Sequence, residues 1–229
     1  MPLNKIHSSK QDAINDVESS MLLNACRDLL DNLTIRLPLY TGMRIGEVQH
    51  LKTSWLDWEK RIIIIPARQK CSCYECKKWR NKIWTPKTQA GQRSLLITPE
   101  LEPYLKQLVD GINRSRQSLE QRFERIRQRS SLQKVCYPHA LRATFATRLS
   151  EGGISAPSLC CLLGWESLQT AENYIQSSMK HAHAEFEGLH QRVEVNSSLQ
   201  SDNSAKISGH GKEVITLKQK EVEINDNMI

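Results

Sequence analysis

Residues 139–174 read HALRATFATRLSEGGISAPSLCCLLGWESLQTAENY, and the rest of the chain is organised around them. His139 and Arg142 are three positions apart, so on a helix they share a face, and Pro138 suits a helix's first turn. Glu151-Gly152-Gly153 ends that helix. Ser158 to Gly164 reads as a second, short apolar helix closed by its glycine, with Trp165 just beyond the stop. Tyr174 follows in a polar stretch, Gln169 to Asn173, where a purely structural tyrosine has little to pack on. Each feature alone has an ordinary reading: an H-x-x-R arises by chance, a tryptophan after a helix anchors a core, and a tyrosine packs amphipathically. Two stretches upstream change the weight of the combination.

The first is Leu39 to Leu51, where a Thr41-Gly42 turn enters a helix with Ile45, Val48 and Leu51 on its buried side. Arg44 falls near the start of that helix, where free backbone N–H groups and the dipole favour an anion. Glu47 is spaced to hold the guanidinium; the alternative is an ordinary helical ion pair of ~0.5 kcal/mol. Before it, Leu22, Cys26, Leu29, Leu30 and Leu33 recur at helical spacing, which predicts an amphipathic helix from Met21 towards Leu37, interrupted by Pro38. The second stretch is a predicted hairpin: Trp84 to Thr88, a turn at Gln89-Ala90-Gly91, and a returning strand Arg93 to Thr98. Lys87 sits at its mouth, either as a solvated edge residue or reaching a nucleic-acid backbone. Between these stretches, Trp55 to Ile65 predicts a turn and a β-branched strand stopped by Pro66.

Leu101, Leu105, Leu108 and Ile112 predict a helix after Pro99. The segment 113–130 then carries Arg114, Arg116, Arg122, Arg125, Arg127 and Arg129 around a narrow stripe of Leu119, Phe123 and Ile126. Such charge runs are often solvated faces, but this imbalance against Glu120 and Glu124 also suits phosphate contacts. With 229 residues there is room for one sizeable domain. A net charge of +7 and a pI of about 9.1 favour a polyanionic partner, nucleic acid before an anionic membrane surface. There is no transmembrane-length apolar run, and Met1 to Lys10 lacks a signal peptide's apolar core, so a soluble intracellular protein is expected.

Taken together, T-G-x-R-x-x-E at Thr41 to Glu47, Lys87, H-x-x-R at His139 and Arg142, L-L-G-W at Leu162 to Trp165, and Tyr174 resemble the catalytic domain of tyrosine recombinases, the phage integrase family. The likeness spans roughly residues 20 to 180, and the steps from Arg142 to Trp165 and on to Tyr174 look like the family's spacing. It implies a mostly helical α+β domain with a small antiparallel β-sheet that cleaves and rejoins DNA through a 3′-phosphotyrosyl link. In that reading Arg44, Lys87, His139, Arg142, Trp165 and Tyr174 are catalytic, and Glu47 orients Arg44 or His139 from behind. Double-stranded DNA is the implied partner, with a dimer or tetramer assembled on it and a cytoplasmic, nucleoid-associated location. No cofactor is required, because arginines supply the charge that Mg²⁺ supplies elsewhere. A type IB topoisomerase-like enzyme, or an inactive DNA-binding regulator on the same fold, are the rival readings.

Two features depart from the family's usual pattern. Members place a helical DNA-clamping domain ahead of the catalytic one, whereas residues 1–20 here read as a flexible lead-in. An insertion near 67–83 carries Cys71, Cys73 and Cys76, whose C-x-C-x-x-C spacing suits structural Zn²⁺ if a fourth ligand arrives from elsewhere, His50 or Cys136; the alternative is a local cluster of reduced thiols. The catalytic domain is expected over 21–184, and a polar tail over 185–229 with a late strand at 213–224, a candidate for exchange between subunits.

Overall fold

Leu33 and Leu37 pack into one apolar cluster and Ile35 and Leu39 into another, so the helix that carries them is buried on more than one side. This is α2 (Leu29–Thr41), capped by the Asp28 side chain, and it is the hub of the structure. The computed structural model describes residues 9–175 together with Phe186 and Glu187. Its other elements are α1 (Asp16–Asn24), α3 (Ile45–His50), β1 (Leu56–Asp57), β2 (Ile62–Ile65), β3 (Gln69–Lys70), α4 (Tyr74–Trp79), β4 (Ile83–Trp84), β5 (Arg93–Leu96), α5 (Glu102–Leu105), α6 (Arg116–Arg129), α7 (Pro138–Glu151), α8 (Ala156–Leu163) and α9 (Leu168–Ile175). The domain is mostly helical with a small antiparallel sheet, as expected. The tail beyond 187 and the strand expected at 213–224 lie outside the described residues.

Several local expectations are corrected. Pro38 sits inside α2 and does not end it. Burial of Leu37 and Leu39 on either side outweighs the ~3 kcal/mol that an interior proline costs, and Gly42, at φ +66°, closes the helix by donating its N–H to the Pro38 carbonyl. The helix expected from Met21 is two helices, broken where Asp28 caps the second. Residues 9–20, expected as a flexible lead-in, are ordered: Asn15 and Glu18 form a capping box for α1, and the Ile14 N–H donates to Thr144 Oγ1 in α7 at 2.9 Å. The helix expected over 101–112 stops at Leu105, because the following backbone turns to bond Leu51 and Thr53 instead.

The β-hairpin expected around Lys87 does not form. β5 pairs antiparallel with β2, Ile65 opposite Arg93 and Ile62 opposite Leu96, and β2 pairs with β1. β4 pairs with β3 in a separate two-stranded ribbon, Gln69 opposite Trp84. Pro86 lacks the N–H that would continue a ladder, and a 3₁₀ turn at Gln89–Gly91 redirects the chain. Lys87 therefore sits in the loop that joins the two sheets.

Arg122 and Arg129, expected on DNA, tie α6 to α2: both reach the buried Asp31 carboxylate, and Arg122 also reaches Asp28. Arg116 pairs with Glu120 and Arg127 with Glu124 along the helix. Arg114 and Arg125 are exposed.

Candidate active site

Arg44 is the residue before the first turn of α3, half-buried, and Glu47 behind it is buried. Glu47 accepts from the Arg44 N–H at 2.8 Å and from Arg44 Nη1 at 3.1 Å, while Arg44 Nη2 donates to the Gly164 carbonyl at 3.1 Å. Glu47 also receives a bidentate pair from Arg93, Nη1 and Nη2 both at 2.9 Å. Burial alone pushes the Glu47 carboxyl up, but the Arg93 bonds and charge, with the Arg44 N–H and Arg142, bring it below the usual carboxylate range. Sequence reading paired Glu47 with Arg44 or His139. It missed Arg93, although strand alternation places Arg93 on the same inward face as Leu95 and Ile97.

Pro138 opens α7, and His139 and Arg142 lie on adjacent turns of it as the spacing predicts. Arg142 is 2% exposed, yet among the described residues its guanidinium donates to backbone carbonyls only, those of Gly42 and Leu163. Burial, then the charges of Arg44 and Arg93, lower its pKa to about 9, which leaves it protonated at neutral pH. It is a buried cation whose hydrogen-bond partners carry no formal charge, an arrangement that favours an incoming anion.

The two carbonyls are placed by left-handed glycines. Gly164 (φ +58°) caps α8, and a Cβ there would meet the Ala90 carbonyl oxygen at 2.6 Å. Gly164→Ala is expected to cost about 2 kcal/mol from the left-handed backbone, with a fall in Tm of roughly 4–8 °C measurable by calorimetry. It also shifts the carbonyl that orients Arg44.

Arg44, Lys87, His139 and Arg142 line one cleft of about 690 Å³. Lys87 is exposed in it. His139 is exposed at the cleft, yet partial desolvation, followed by the charges of Arg142, Arg44 and Lys87, lowers its pKa and leaves the ring neutral at pH 7. Tyr137 also lines the cleft. Its hydroxyl donates to Asp12, and burial together with that carboxylate pushes its pKa up to about 12, so its phenolate is disfavoured.

Trp165 and Tyr174 do not line the cleft. They stack on each other at 5.2 Å between ring centroids, and the Arg142 guanidinium lies 5.8 Å from the Trp165 ring. Tyr174 is 4% exposed, within the apolar cluster of Ala146, Leu159, Leu163 and Ala171. Five of the six expected groups are thus linked through Arg142 or the shared cleft. Tyr174 completes the set as Trp165's stacking partner.

At the far end of α3, His50 meets the cysteines. The ligand atoms of His50, Cys71, Cys73 and Cys76 all lie within 4.8 Å of one another, and His50 Nε2 is 3.6 Å from both Cys73 Sγ and Cys76 Sγ. A tetrahedral ion bound at about 2.0–2.3 Å needs edges of about this length. His50 Nδ1 lies 2.7 Å from the Gly46 carbonyl, which fixes the N–H there and turns the Nε2 lone pair to the thiols. Cys136 belongs to a different apolar cluster, with Phe123 and Ile126.

Residues 12–181 match the profile of the phage integrase family. Among curated proteins, the chain is 30% identical over 183 residues to tyrosine recombinase XerC of Lactobacillus leichmannii, covering 77% of this chain and 60% of that protein. It is 27% identical over 179 residues to tyrosine recombinase XerA of Saccharolobus solfataricus, covering 76% and 55%. The chain thus spans less than two thirds of the length of these relatives. In fold it resembles the Tn1549 transposon integrase solved with transposon right end DNA, with a TM-score of 0.62, 23% identity and coverage of 78% and 66%. It also resembles XerA recombinase, with a TM-score of 0.56, 20% identity and coverage of 77% and 64%. With most of its length matched by that profile, the chain belongs to the phage integrase family.

Proposed function

We propose that this chain is the catalytic part of a site-specific recombinase that breaks and rejoins DNA strands through Tyr174. The observation that carries the reading is Arg142: a buried guanidinium held by two carbonyls, in an open cleft that it shares with Arg44, Lys87 and His139. A phosphodiester in that cleft would receive forked donors from both arginines, whose charge neutralises the pentacoordinate transition state. The Tyr174 oxygen forms a bond to phosphorus, and the bond to the 5′-oxygen breaks. The phenolic proton passes towards His139, and Lys87 protonates the leaving oxygen. Trp165 donates an N–H or packs, since indole cannot carry a proton. Attack by another strand's 5′-hydroxyl reverses the step and completes an exchange. Tyr174 is buried against Trp165, and it lies near enough to Arg142 for the two to interact electrostatically.

The substrate is double-stranded DNA, engaged by a pair or tetramer of subunits, and the domain covers 21–184 with the ordered segment from residue 9 packed on it. Arg114, Arg116 and Arg125 remain candidates for backbone contacts, Arg116 because it lines the cleft. Cys71, Cys73, Cys76 and His50 are the residues that would hold a structural zinc ion; the proposed chemistry takes no step through it. Among the described residues, no helix is long and apolar enough to cross a membrane.

The test is covalent capture: incubate the protein with a library of nicked duplexes in magnesium-free buffer, denature, and sequence any DNA that remains attached. Adducts sharing a sequence support the recombinase. Adducts without sequence preference, formed by a monomer, favour a topoisomerase-like enzyme, and binding with no adduct favours an inactive regulator. A pH dependence follows from His139. Its lowered pKa keeps the accepting, neutral form populated through pH 7, so single-turnover cleavage should stay level there and fall only below about 6.5, the ordinary histidine value. His139→Gln should be slower and lose that acid limb.

A further inference from the structure

The insertion between β2 and β5 has too little apolar material to hold its own shape. Cys76 and Trp84 are buried, while Tyr74 and Trp79 are 70% and 72% exposed. Asn81 and Lys82, at φ +47° and +61°, turn the chain back from α4 into β4. The cysteines are bound into this turn by its backbone: the Cys71 N–H donates to the Lys82 carbonyl at 2.8 Å, and Cys73 Sγ accepts from the Cys76 N–H at 3.4 Å. His50 comes from α3, outside the finger, so an ion on these four residues fastens the finger to the helix whose first turn presents Arg44. Gln69 adds to the same seam, donating to the His50 carbonyl at 2.9 Å and accepting from Trp55 Nε1 at 2.7 Å.

What the finger shows to solvent is cationic. Arg68, Lys70, Lys77, Lys78, Arg80 and Lys82 are all exposed, against Glu75 as the acid of the segment. Lys78 lies over the Trp79 ring at 4.7 Å and the Tyr74 ring at 5.4 Å, so the aromatic surface is interleaved with charge. Such a face suits a polyanion. It is also continuous with the site: Glu75, Cys76 and Arg80 line the same cleft as Arg44 and Arg142. A duplex with one phosphate at Arg44 and Arg142 would run its flanking backbone along a cleft that α4 helps to wall.

We propose that the finger, held by zinc on Cys71, Cys73, Cys76 and His50, grips the DNA backbone beside the cleaved phosphate through Lys77 and Lys78, with Trp79 packing on the sugars. The proposal rests on the DNA-cleaving reading for its geometry, and its readout is binding, which needs no cleavage. The test uses the full chain with its metal content assayed, and follows duplex affinity by fluorescence anisotropy over a range of salt. Lys77→Ala/Lys78→Ala should reduce the slope of log affinity against log salt by about 2, with unchanged zinc content and Tm. Removing the zinc, or Cys76→Ser, should lower the slope by a similar amount, and zinc added back to the stripped wild type should restore it.

An unchanged slope in the lysine variant overturns the grip, and a protein that carries no zinc and binds DNA equally with and without added zinc overturns the metal's part. If wild-type protein never forms an adduct yet shows these slope changes, the cleavage reading fails and the grip stands. If adducts form and the slopes do not move, the reverse holds.

Discussion

Tyr174→Phe is expected to keep the fold and bind duplex as the parent does, while cleavage falls on the order of 10⁵–10⁶-fold, the scale on which losing a nucleophile costs other covalent catalysts. The phenylalanine ring can still stack on Trp165, since the observed contact at 5.2 Å is between ring faces, so the loss isolates the oxygen. Tyr137→Phe is the matching control. Tyr137 also lines the cleft, but its hydroxyl is engaged by Asp12, and cleavage should persist in that variant. Gel resolution of covalent adducts, with circular dichroism for the fold, checks both.

Glu47→Ala should be the most destabilising single change in the site. The Arg93 side chain is 4% exposed, and without Glu47 it would keep, among the described residues, the carbonyls of Leu162 and Gly91 as acceptors. Stranding one half of a buried ion pair costs about 3–5 kcal/mol, which for a chain of this size is a Tm loss of roughly 6–20 °C. Because the Glu47 carboxyl titrates below its ordinary value in the fold, its stabilisation is complete above the unfolded value near 4.3 and is lost as pH falls through the folded one. Urea melts across acid pH should show that dependence in the parent and a weaker one in the variant. The double change Glu47→Leu/Arg93→Met should recover much of the stability without recovering cleavage, since Arg44 would still lack its carboxylate.

The contrast between these residues shows what a sequence read alone can hold. His139 with Arg142, Arg44 with Glu47, and the glycine stop before Trp165 are set by helical spacing and capping, which act within a few residues, and the structure places each pair and the stop accordingly. Arg93 meets Glu47 across 46 positions, and His50 meets the cysteines from 23 and 26 positions away. No local period reports such meetings; only the alternation of β5 hinted at the first. The arginine helix misled for the same reason: its charge was visible, but the buried Asp31 that engages Arg122 and Arg129 lies in another helix. The hairpin around Lys87 failed because strand propensity identifies strands and not their partners, and β5 found a longer apolar partner in β2 than in β4.

In the proposed reaction the bond to DNA is made by the Tyr174 oxygen. The most direct measurement digests the trapped adduct with protease and nuclease and locates the nucleotide on its peptide by mass spectrometry. The expected products are a 3′-phosphate on Tyr174 and a free 5′-hydroxyl on the released strand. A phosphate carried by Tyr137 or any other residue, or one attached through the DNA's 5′ end, would contradict it.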